Sequence, residues 1–509
     1  MNGLLGIDLG TSGTKTVLFD SDGNAVASAV AEYPLYQPQN GWAEQDPADW
    51  WAAVQSTIRA VLQKSGIAAT DIKGIGISGQ MHGLVLLDAN GAVLRKSILW
   101  CDGRTGEECR EITEVIGEKR LIEITANPAL TGFTAGKILW VRRHEPEIFA
   151  KTAHILLPKD FIRYQLTGDF ATEVSDASGM NLLDVTARDW SDEILEKLQL
   201  AKPLFAQMYE SCEVTGYVTA KAAAQTGLVA GTLVVGGAGD NAAAAVGTGV
   251  VTEGKAFTTL GTSGVVFAHS DRVTIDPAGR VHTFCAAVPG AYTVMSCTLA
   301  AGLSLKWFRD TLCESEIATA KAMGVDPYSL MDKEAATSPI GANRLLYLPY
   351  LMGERSPILD ANARGAWVGL SAMHTKADML RAVMEGVLYA QRDCLDVLRE
   401  MHVAPDTMLA CGGGSTSLFW RQMMADIYDC PVQCVPDKDG PALGAAILAG
   451  VGAGIYSSVA QGCKAVLGAQ KAQLPVAENT ARYEPFYKIY RALYPALKQS
   501  YSALAALGG

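Results

Sequence analysis

Two stretches of the chain, one at its start and one near its middle, alternate short apolar runs with glycine-containing turns. Apolar runs bounded by such turns predict strands. In the first stretch the predicted strands cover residues 4–8, 16–19 and 25–33. In the second stretch they cover residues 256–259, 265–267, 282–288 and 292–296. Because both stretches begin strand, turn, strand, turn, strand, the pattern predicts two domains built on one plan.

A helix and a glycine-flanked loop follow the first set of strands. Asp46-Pro47 predicts a helix start, with Asp46 as the N-cap and proline in the first turn, and apolar residues then recur at helical spacing. A strand predicted at 72–78 leads into the loop GQMHG at 79–83. Between glycines a core histidine has little to pack against, so we expect His82 to contact a ligand.

The pentapeptide LGTSG forms the first turn of both stretches, at 9–13 and at 260–264. Glycines at the ends of such a turn permit positive φ and a close approach of the backbone to a ligand. Successive N–H groups and the Thr and Ser hydroxyls can then point donors into one concavity. Two such turns facing each other across a cleft would bind a polyphosphate from both sides. Two ordinary hairpin turns are the alternative.

Three further features favour phosphate binding. A strand at 408–411 runs into the glycines 412–414 and then a helix, which leaves room for a nucleotide at a helix N-terminus. A strand at 234–239 delivers Asp240 to the start of a helix of small residues, where an N-cap is the ordinary alternative for a carboxylate. Asp8 directly precedes the first LGTSG, and an acidic side chain beside a phosphate loop indicates an intervening cation, Mg2+.

Composition narrows the function classes. With 509 residues the chain exceeds one ordinary hydrophobic core, and its net charge of -11 argues against nucleic acid or an anionic membrane as the partner. The N-terminus has no basic region followed by a long apolar stretch, so no secretory signal is expected. Eleven cysteines without a C-x-x-C pair suit free thiols in a reducing cytoplasm.

Several motifs resemble those of a known family. GIDLGTS at 6–12 resembles the first phosphate motif of the actin, hexokinase and heat-shock chaperone superfamily. GFTAGKILWVRRH at 132–144 and the stretch 365–385 are similar to the two signatures of the FGGY carbohydrate kinases. Within that family the likeness spans nearly the whole chain and is greatest to the kinases that act on xylulose. The shared motifs are WAEQDP at 42–47, GQMHG at 79–83, DGR at 102–104, LPKD at 157–160 and GERSP at 353–357.

The resemblance implies a fold and a reaction. It implies two ribonuclease H-like α/β domains around a central cleft, which we place at residues 1–250 and 251–509. The first would carry the sugar site and the first phosphate loop, and the second would carry the other phosphate loop and the adenosine site. The reaction would be phosphorylation of a ketopentose, D-xylulose above all, by ATP with Mg2+. A homodimer would follow from the resemblance alone.

The resemblance also implies roles for individual residues. Asp240 would be the catalytic base, and Asp8 would help to hold Mg2+. The sugar would contact Met81, His82, Asp240 and Asn241. ATP would contact Gly10, Thr11, Ser12, Gly261, Thr262, Ser263, Gly412, Gly413, Gly414 and Ser415.

Two departures and two alternatives stay open. Cys101 stands where the xylulose kinases tend to have Asn, which leaves room for another ketose or a pentitol, and we expect its thiol to be a small buried filler. Ser415-Thr416 replaces the commoner Ala-Arg, which leaves the adenine contacts open. The signature residues 137–144 predict helix packing rather than chemistry. A nucleotide-switched protein without enzymatic activity is the other class, although a filament former would need neither the sugar loop nor a Gly-Asp-Asn base.

Overall fold

The computed structural model describes residues 2–434, 439–468 and 471–507. The strands are β1 (Gly3–Leu9), β2 (Gly13–Phe19), β3 (Ala25–Glu32), β4 (Glu44–Gln45), β5 (Ile72–Gly79), β6 (Val85–Leu87), β7 (Ser97–Ile98), β8 (His154–Leu156), β9 (Ala171–Glu173), β10 (Leu183–Asp184), β11 (Asp189–Trp190), β12 (Gln207–Tyr209), β13 (Val214–Tyr217), β14 (Leu233–Val235), β15 (Ala238–Gly239), β16 (Lys255–Leu260), β17 (Gly264–Ser270), β18 (His282–Cys285), β19 (Tyr292–Thr298), β20 (Leu346–Leu348), β21 (Ala366–Val368), β22 (Thr407–Cys411), β23 (Val432–Cys434) and β24 (Ala472–Gln473). The helices are α1 (Pro47–Ser65), α2 (Gly106–Ile116), α3 (Glu118–Thr125), α4 (Thr134–His144), α5 (Pro146–Lys151), α6 (Pro158–Thr167), α7 (Val174–Ala177), α8 (Asp192–Lys197), α9 (Ala220–Thr226), α10 (Asp240–Thr248), α11 (Gly302–Leu312), α12 (Glu314–Met323), α13 (Pro327–Ala335), α14 (Lys376–Glu400), α15 (Leu418–Tyr428), α16 (Gly440–Gly452), α17 (Val459–Val466) and α18 (Ala477–Ala506).

The described residues form two compact units. The first unit consists of residues 2–252, 269–293 and 439–468, and the second of residues 253–268, 294–434 and 471–507. The chain first passes between the units at Thr252, close to the boundary expected at residue 250. Residues 269–293 and 439–468 return to the first unit, so neither unit is one continuous stretch. The functional domains 1–250 and 251–509 stay a prediction.

The first unit is built on a mixed sheet with strand order β13-β14-β5-β1-β2-β3. Strand β1 pairs antiparallel with β2 on one side and parallel with β5 on the other. Its residues are almost wholly buried, which explains the continuous apolar run in the sequence. Parallel neighbours bring the carboxyl ends of β1 and β5 to one sheet edge, where ligands bind in open α/β sheets.

The second unit repeats this plan. Its sheet contains the strand order β19-β17-β16-β22-β23-β24, in which β16 pairs antiparallel with β17 and parallel with β22. Strand β16 therefore corresponds to β1, and β22 corresponds to β5. The prediction of two domains on one plan is confirmed at the level of sheet topology.

Small residues let helices approach the first sheet closely. A Cβ atom on Gly6 would lie 2.0 Å from the carbonyl oxygen of Ala442, and one on Gly76 would lie 1.9 Å from that of Ala445, both in α16. Such distances are far below van der Waals contact, so only glycine fits at these strand positions. Helix α10 packs in turn against α16, which accounts for its run of alanines.

The two LGTSG turns need glycine for a different reason from the one predicted. Gly10, Gly13, Gly261 and Gly264 are all absent from the positive-φ region, so the expectation of positive φ is wrong. A Cβ atom on Gly13 would lie 2.7 Å from the Ala31 carbonyl oxygen, and one on Gly264 would lie 2.2 Å from the Gln391 side chain. Close packing against a neighbouring strand and helix therefore selects Gly13 and Gly264, a tertiary constraint that a local turn pattern does not contain.

Across the described ranges, no helix combines the length and the apolar character needed to cross a lipid bilayer.

Candidate active site

Two carboxylates meet at the carboxyl edge of the first sheet. In β1, Asp8 lies opposite Ser78 of β5, and Ser78 lies opposite Ala238 of β15. Asp240 follows β15 directly and is the first residue of α10. Adjacent strands are about 4.8 Å apart, so this register places the backbone of Ala238 two strand spacings from that of Asp8, and Asp240 follows two residues later. The structure thus brings together the predicted metal residue and the predicted base.

Burial raises the pKa of both groups, and a nearby carboxylate adds to the rise in each, Asp8 for Asp240 and Asp439 for Asp8. Burial raises the pKa of Asp240 from 3.8 to about 7, the Asp8 charge adds to the rise, and hydrogen bonds from Asn241 oppose it. Those bonds run from the backbone N and the Nδ2 of Asn241 to Asp240 Oδ1, at 2.7 and 3.1 Å. Burial also raises the pKa of Asp8, against the effects of a 3.0 Å hydrogen bond from Ser78 and the charge of Lys15. A carboxylate that titrates near neutrality is suited to accept a proton.

A buried hydrogen-bond chain fixes the backbone in front of Asp240. The Gly239 N–H donates to Ser175 Oγ at 3.2 Å, and Ser175 Oγ donates to Glu173 at 2.9 Å. Glu173 also caps α7 by accepting from the backbone N–H groups of Ser175 and Asp176. Helix α7 therefore fixes the backbone of Gly239, from which the chain enters Asp240.

The same region contains a buried lysine among three acidic side chains. Lys159 Nζ lies 2.7 Å from Asp160, 3.3 Å from Glu173 and 3.7 Å from Asp176, and all four side chains are buried. Burial alone would lower the pKa of Lys159, but the three carboxyls raise it above its usual value. Burial raises the pKa of Asp176 well above the ordinary range. One lysine cannot neutralise three carboxylates. Protonation of Asp176 therefore reduces the excess negative charge of the cluster.

The loop at 79–83 places its two predicted sugar residues beside this edge. Met81 is buried, and its Cγ would lie 2.8 Å from a Cβ on Gly239. His82 is half-buried with φ 68°, and its Nδ1 bonds the Gly179 carbonyl at 2.8 Å. A carbonyl oxygen only accepts, so Nδ1 carries the proton, and in a neutral ring Nε2 is then an acceptor.

The surroundings of His82 differ from the prediction. Its ring packs edge-on against Phe133, with centroids 4.8 Å apart, so the expectation that it has little to pack against is wrong. A ligand role for the imidazole stays a prediction. The sequence does not show that residues 50 positions away in the chain come to rest against this loop.

The first LGTSG turn is held by a network of amide side chains. Its Gly10 N–H donates to the Gly13 carbonyl at 3.0 Å, and Gln80 N–H donates to the Leu9 carbonyl at 2.8 Å. The Thr11 hydroxyl donates to Gln80 Oε1 at 3.3 Å and accepts from the indole of the half-exposed Trp100 at 3.0 Å. A phosphate at Thr11 would thus have to exchange an existing hydrogen bond of that hydroxyl.

In the second unit, the corresponding turn meets a helix start and the glycine run. The N–H groups of Ala301 and Gly302 donate to the carbonyls of Thr262 and Gly261 at 3.1 and 2.7 Å, at the beginning of α11. Cys411, at the end of β22, lies opposite Thr259 of β16, so the glycines that follow it stand beside this turn. The structure brings the second LGTSG and Gly412–Gly414 to one edge of the second sheet.

The glycine run adopts a tight turn whose side chains bond inward. Gly412 has φ 82°, a conformation that favours glycine, and a Cβ on Gly414 would lie 2.7 Å from Leu260 and Trp420 atoms. Ser415 is buried, and its hydroxyl donates to the Gly412 carbonyl at 2.7 Å. Ser415 therefore shapes this loop, and its contact with a nucleotide stays a prediction.

Asp8 and Asp240 suit a magnesium ion. In the part of the chain that the structure describes, no group of three His, Cys, Asp or Glu side chains converges as a closed metal site. Mg2+ does not need one, because it is commonly held by one or two carboxylates together with waters and substrate phosphates. Two carboxyls whose proximity raises the pKa of Asp240 provide the oxygen ligands and the negative charge that such an ion would neutralise.

Two sequence expectations change at this site. The ordinary alternative for Asp240, an N-cap, is wrong, because Gly239 occupies the N-cap position and Asp240 is already helical. Cys101 was expected to be a buried filler, but it is exposed, next to Trp100.

Sequence reasoning missed several residues that support the site. They are Gln45, Gln80, Trp100, Lys137, Lys159, Glu173, Ser175, Asp176 and Gly179. Lys137 carried a usable signal, since it is a charged residue inside an otherwise apolar helical stretch. Gly179 carried none, because its contact with His82 depends on tertiary structure alone.

The chain resembles known proteins over almost its full length. The N-terminal domain of the FGGY family of carbohydrate kinases matches residues 4–247, and the C-terminal domain of that family matches residues 256–453. The chain is 40% identical to a xylulose kinase of Bacillus subtilis over 507 residues, which cover 99% of both chains. Its structure is similar to that of a xylulose kinase from Rhodospirillum rubrum, with TM-score 0.91, 31% identity and coverage of 98% and 100%. A gluconate kinase from Lactobacillus acidophilus also gives TM-score 0.91, at 29% identity with 99% of both chains covered, so the fold alone does not select the sugar.

Proposed function

The chain belongs to the FGGY family of carbohydrate kinases, and on that premise we propose that it transfers the γ-phosphoryl group of ATP to D-xylulose, giving D-xylulose 5-phosphate and ADP. The observation that carries this proposal is the placement of Met81 and His82 beside Asp240. The buried thioether of Met81 lies against Gly239, the residue before Asp240, and the imidazole of His82 bonds the Gly179 carbonyl through Nδ1, while the pKa of Asp240 is raised to about 7. The full-length likeness to the Bacillus subtilis xylulose kinase supports the same sugar.

Asp240 acts as the general base in this proposal. A sugar hydroxyl is a weak nucleophile at neutral pH, so a carboxylate has to accept its proton as the bond to phosphorus forms. Asp240 sits at the first position of α10, where the positive end of the helix favours the ionised carboxylate. Asn241 orients it through two hydrogen bonds to one oxygen, which leaves the other oxygen to face the substrate.

Asp8 has a separate role in phosphate binding. With Asp240 nearby it would hold Mg2+, which when bound neutralises charge on the phosphates and on the transferring group. Lys15, on the neighbouring strand opposite Asp8, forms an ion pair with Asp439. The first LGTSG turn would supply Gly10, Thr11 and Ser12 to ATP, and the second would supply Gly261, Thr262 and Ser263, with Gly412–Ser415 at the adenosine.

Met81 and His82 would determine the choice of sugar. An apolar wall and a single neutral hydrogen-bonding ring suit a longer sugar with a carbonyl end better than a short polyol. Glycerol kinases have a charged Arg-Glu pair in place of these residues, which offers partners for several hydroxyls at once. Replacing His82 should therefore weaken binding of the sugar more than binding of ATP.

A phosphorylation screen tests the substrate. ADP release is measured with ketopentoses, pentitols, glycerol and gluconate, each at several concentrations, so that kcat/KM values can be compared. We expect D-xylulose to have the highest kcat/KM. A higher value for glycerol or gluconate would refute the proposed sugar, and a higher value for another ketose or a pentitol would move it to that compound.

Two finer properties complete the proposal. A cytoplasmic location is supported by the free cysteines, of which Cys101 is exposed. Homodimer formation rests on the sequence resemblance.

A further inference from the structure

Lys137 is a buried lysine whose hydrogen bonds reach the sugar loop. It lies on α4 with 0% of its surface exposed. Its Nζ donates to the carbonyl oxygen of His82 at 2.7 Å and to that of Gly132 at 2.8 Å. Among the described residues, no carboxylate lies within ion-pair distance of the Lys137 Nζ atom. Both acceptors are backbone oxygens, so this lysine stabilises the conformation of the main chain at His82 and Gly132.

The His82 carbonyl receives a second donor from the same helix. Thr134 Oγ1, one turn before Lys137, donates to it at 3.1 Å. Residues three apart lie on one helix face, so both donors point to the same spot. His82 has φ 68°, a conformation that side-chain-bearing residues rarely adopt without support from their surroundings. Two donors on the His82 carbonyl provide that support.

The start of α4 also positions the His82 ring. Phe133 is the N-cap residue of α4, and its ring packs edge-on to the imidazole at 4.8 Å. Gly179 accepts from Nδ1 at the other side of the ring, and a Cβ there would lie 2.4 Å from it. The ring is thus oriented between Phe133 and Gly179, while Thr134 and Lys137 hold the backbone from which it extends.

The groups around Lys137 neutralise little of the positive charge of its side chain. The groups that face it are Asp102, Cys101, Cys109 and Arg104, and Asp102 is already bonded by Arg104 at 2.7 Å. Burial lowers the pKa of Lys137 to about 7. A neutral amine keeps two N–H groups, which matches its two carbonyl acceptors. A methionine would keep the packing and lose these bonds.

We propose that Lys137 is a positioning residue for sugar recognition, which together with Thr134 holds the His82 backbone in the conformation that presents the imidazole to the substrate. This inference rests on the proposed role of His82 in sugar binding. It assigns a function to a signature residue that the sequence pattern attributes to helix packing.

Kinetics of matched variants test the proposal. Lys137→Met should raise KM for D-xylulose roughly ten-fold or more, because the loop that contacts the sugar loses its support, and should change KM for ATP less than two-fold. Thr134→Val should raise KM for the sugar by a smaller factor, whereas Thr134→Ser retains the hydroxyl and should behave like the wild type. In His82→Ala, the added change Lys137→Met should cause no further increase in KM for D-xylulose. Both changes act on the same contact, the one between the His82 ring and the sugar.

A control and a direct observation separate positioning from general damage. Thr226→Val removes a buried hydroxyl that donates to the Ala222 carbonyl at 2.7 Å, away from the loop, and should leave KM for both substrates unchanged. The chain has seven histidines, so NMR of histidine-labelled protein can identify the His82 ring signal by its loss in His82→Ala. That signal should shift in Lys137→Met and in Thr134→Val, and stay in place in Thr226→Val.

The outcomes distinguish this inference from the proposed substrate. If the His82 signal shifts and the KM of the best sugar in the screen rises, positioning is supported whichever sugar that is. If the signal stays in place, or if KM for ATP rises as much as KM for the sugar, the inference is overturned. If Lys137→Met does not fold, the Thr134→Val and Thr134→Ser pair decides by the same criteria.

Discussion

At the scale of single residues, the proposed chemistry depends on two carboxylates that strand register brings to one edge of the first sheet. Asp8 and Asp240 belong to distant parts of the sequence, yet β5 aligns with both of their strands and brings them to one edge. Burial and the Asp8 charge raise the pKa of Asp240 to about 7, so this acid is poised to exchange a proton at neutral pH. In the proposed reaction both carboxylates would lie near the phosphates of ATP, which would require a cation that Asp8 is suited to hold.

Replacing the base should abolish turnover without abolishing nucleotide binding. We expect Asp240→Ala to lose on the order of a thousand-fold in kcat, because the acceptor for the hydroxyl proton is gone. ATP binding, measured by calorimetry, should persist. Thr248→Val, on the same helix, is the control and should keep full activity. If Asp240→Ala retains a tenth of the wild-type rate, Asp240 is not the base.

The raised pKa of Asp240 has a consequence for stability in metal-free protein. The folded-state pKa of about 7 exceeds the ordinary 3.8, so between these values the folded state binds more protons than the unfolded state. Stability contributed by this group is therefore lost as pH rises from about 4 to 7. We expect Asp240→Asn to become more stable relative to the wild type over that range, by about 1–3 kcal/mol, since partial exposure screens the charge. Urea unfolding at pH 4.5, 6 and 7.5 measures this, and a difference that is independent of pH would contradict it.

At the scale of elements, short helices behind the site hold its geometry. Helix α7 connects Glu173, Ser175 and Asp176 to the backbone in front of Asp240, and Lys159 of α6 neutralises part of their charge. Such a buried cluster stabilises the fold only while its charges are balanced.

The two kinds of replacement in this cluster should differ sharply. Lys159→Met removes the one cation among three carboxyls and should cost about 3–5 kcal/mol of unfolding free energy. Asp176→Asn resembles a protonated acid and should cost less than about 1 kcal/mol, because the pKa of Asp176 is raised. Chemical unfolding at pH 7 compares the two. Equal losses would show that Asp176 is charged in the native state.

Local pattern was enough to predict many elements but not their contacts. The Asp46 cap, the strands around both LGTSG turns and the strand before Gly412 are observed where the sequence predicts them, because hydrophobic spacing and turn residues are local signals. The strand expected at 234–239 is instead interrupted between β14 and β15 by Gly236 and Gly237. The exposure of Cys101, the glycines chosen by close packing and the Lys137 bond to His82 depend on residues far away in the chain, so the sequence pattern did not reveal them.

At the scale of the whole molecule, two units share one sheet plan, and each ends its central strand in LGTSG. The return of residues 269–293 and 439–468 to the first unit was not predicted, because it depends on tertiary contacts that a local sequence pattern does not contain. A duplicated sheet plan with the same turn after the central strand of each copy accounts for the repeated pentapeptide without coincidence.

If both turns bind the same ATP, ligand binding should bring the units closer together. X-ray scattering measures the radius of gyration of Asp240→Ala. The protein with D-xylulose and ATP together should have a smaller radius of gyration than the protein with either ligand alone or without ligand. Closure of this kind excludes water and limits wasteful ATP hydrolysis. Scattering curves that coincide under all conditions would argue against shared binding.

Identification of the product is the direct test of the proposed phosphorylation of D-xylulose. Wild-type protein is incubated with MgATP and D-xylulose, and 31P and 13C NMR identify the phosphate ester and the carbon whose hydroxyl oxygen is phosphorylated. We expect one ADP to form for each D-xylulose 5-phosphate, with the phosphoryl group on the oxygen of C5, and this product to be lost in Asp240→Ala. ADP formed without a phosphorylated sugar, or a phosphate on another carbon, would contradict it.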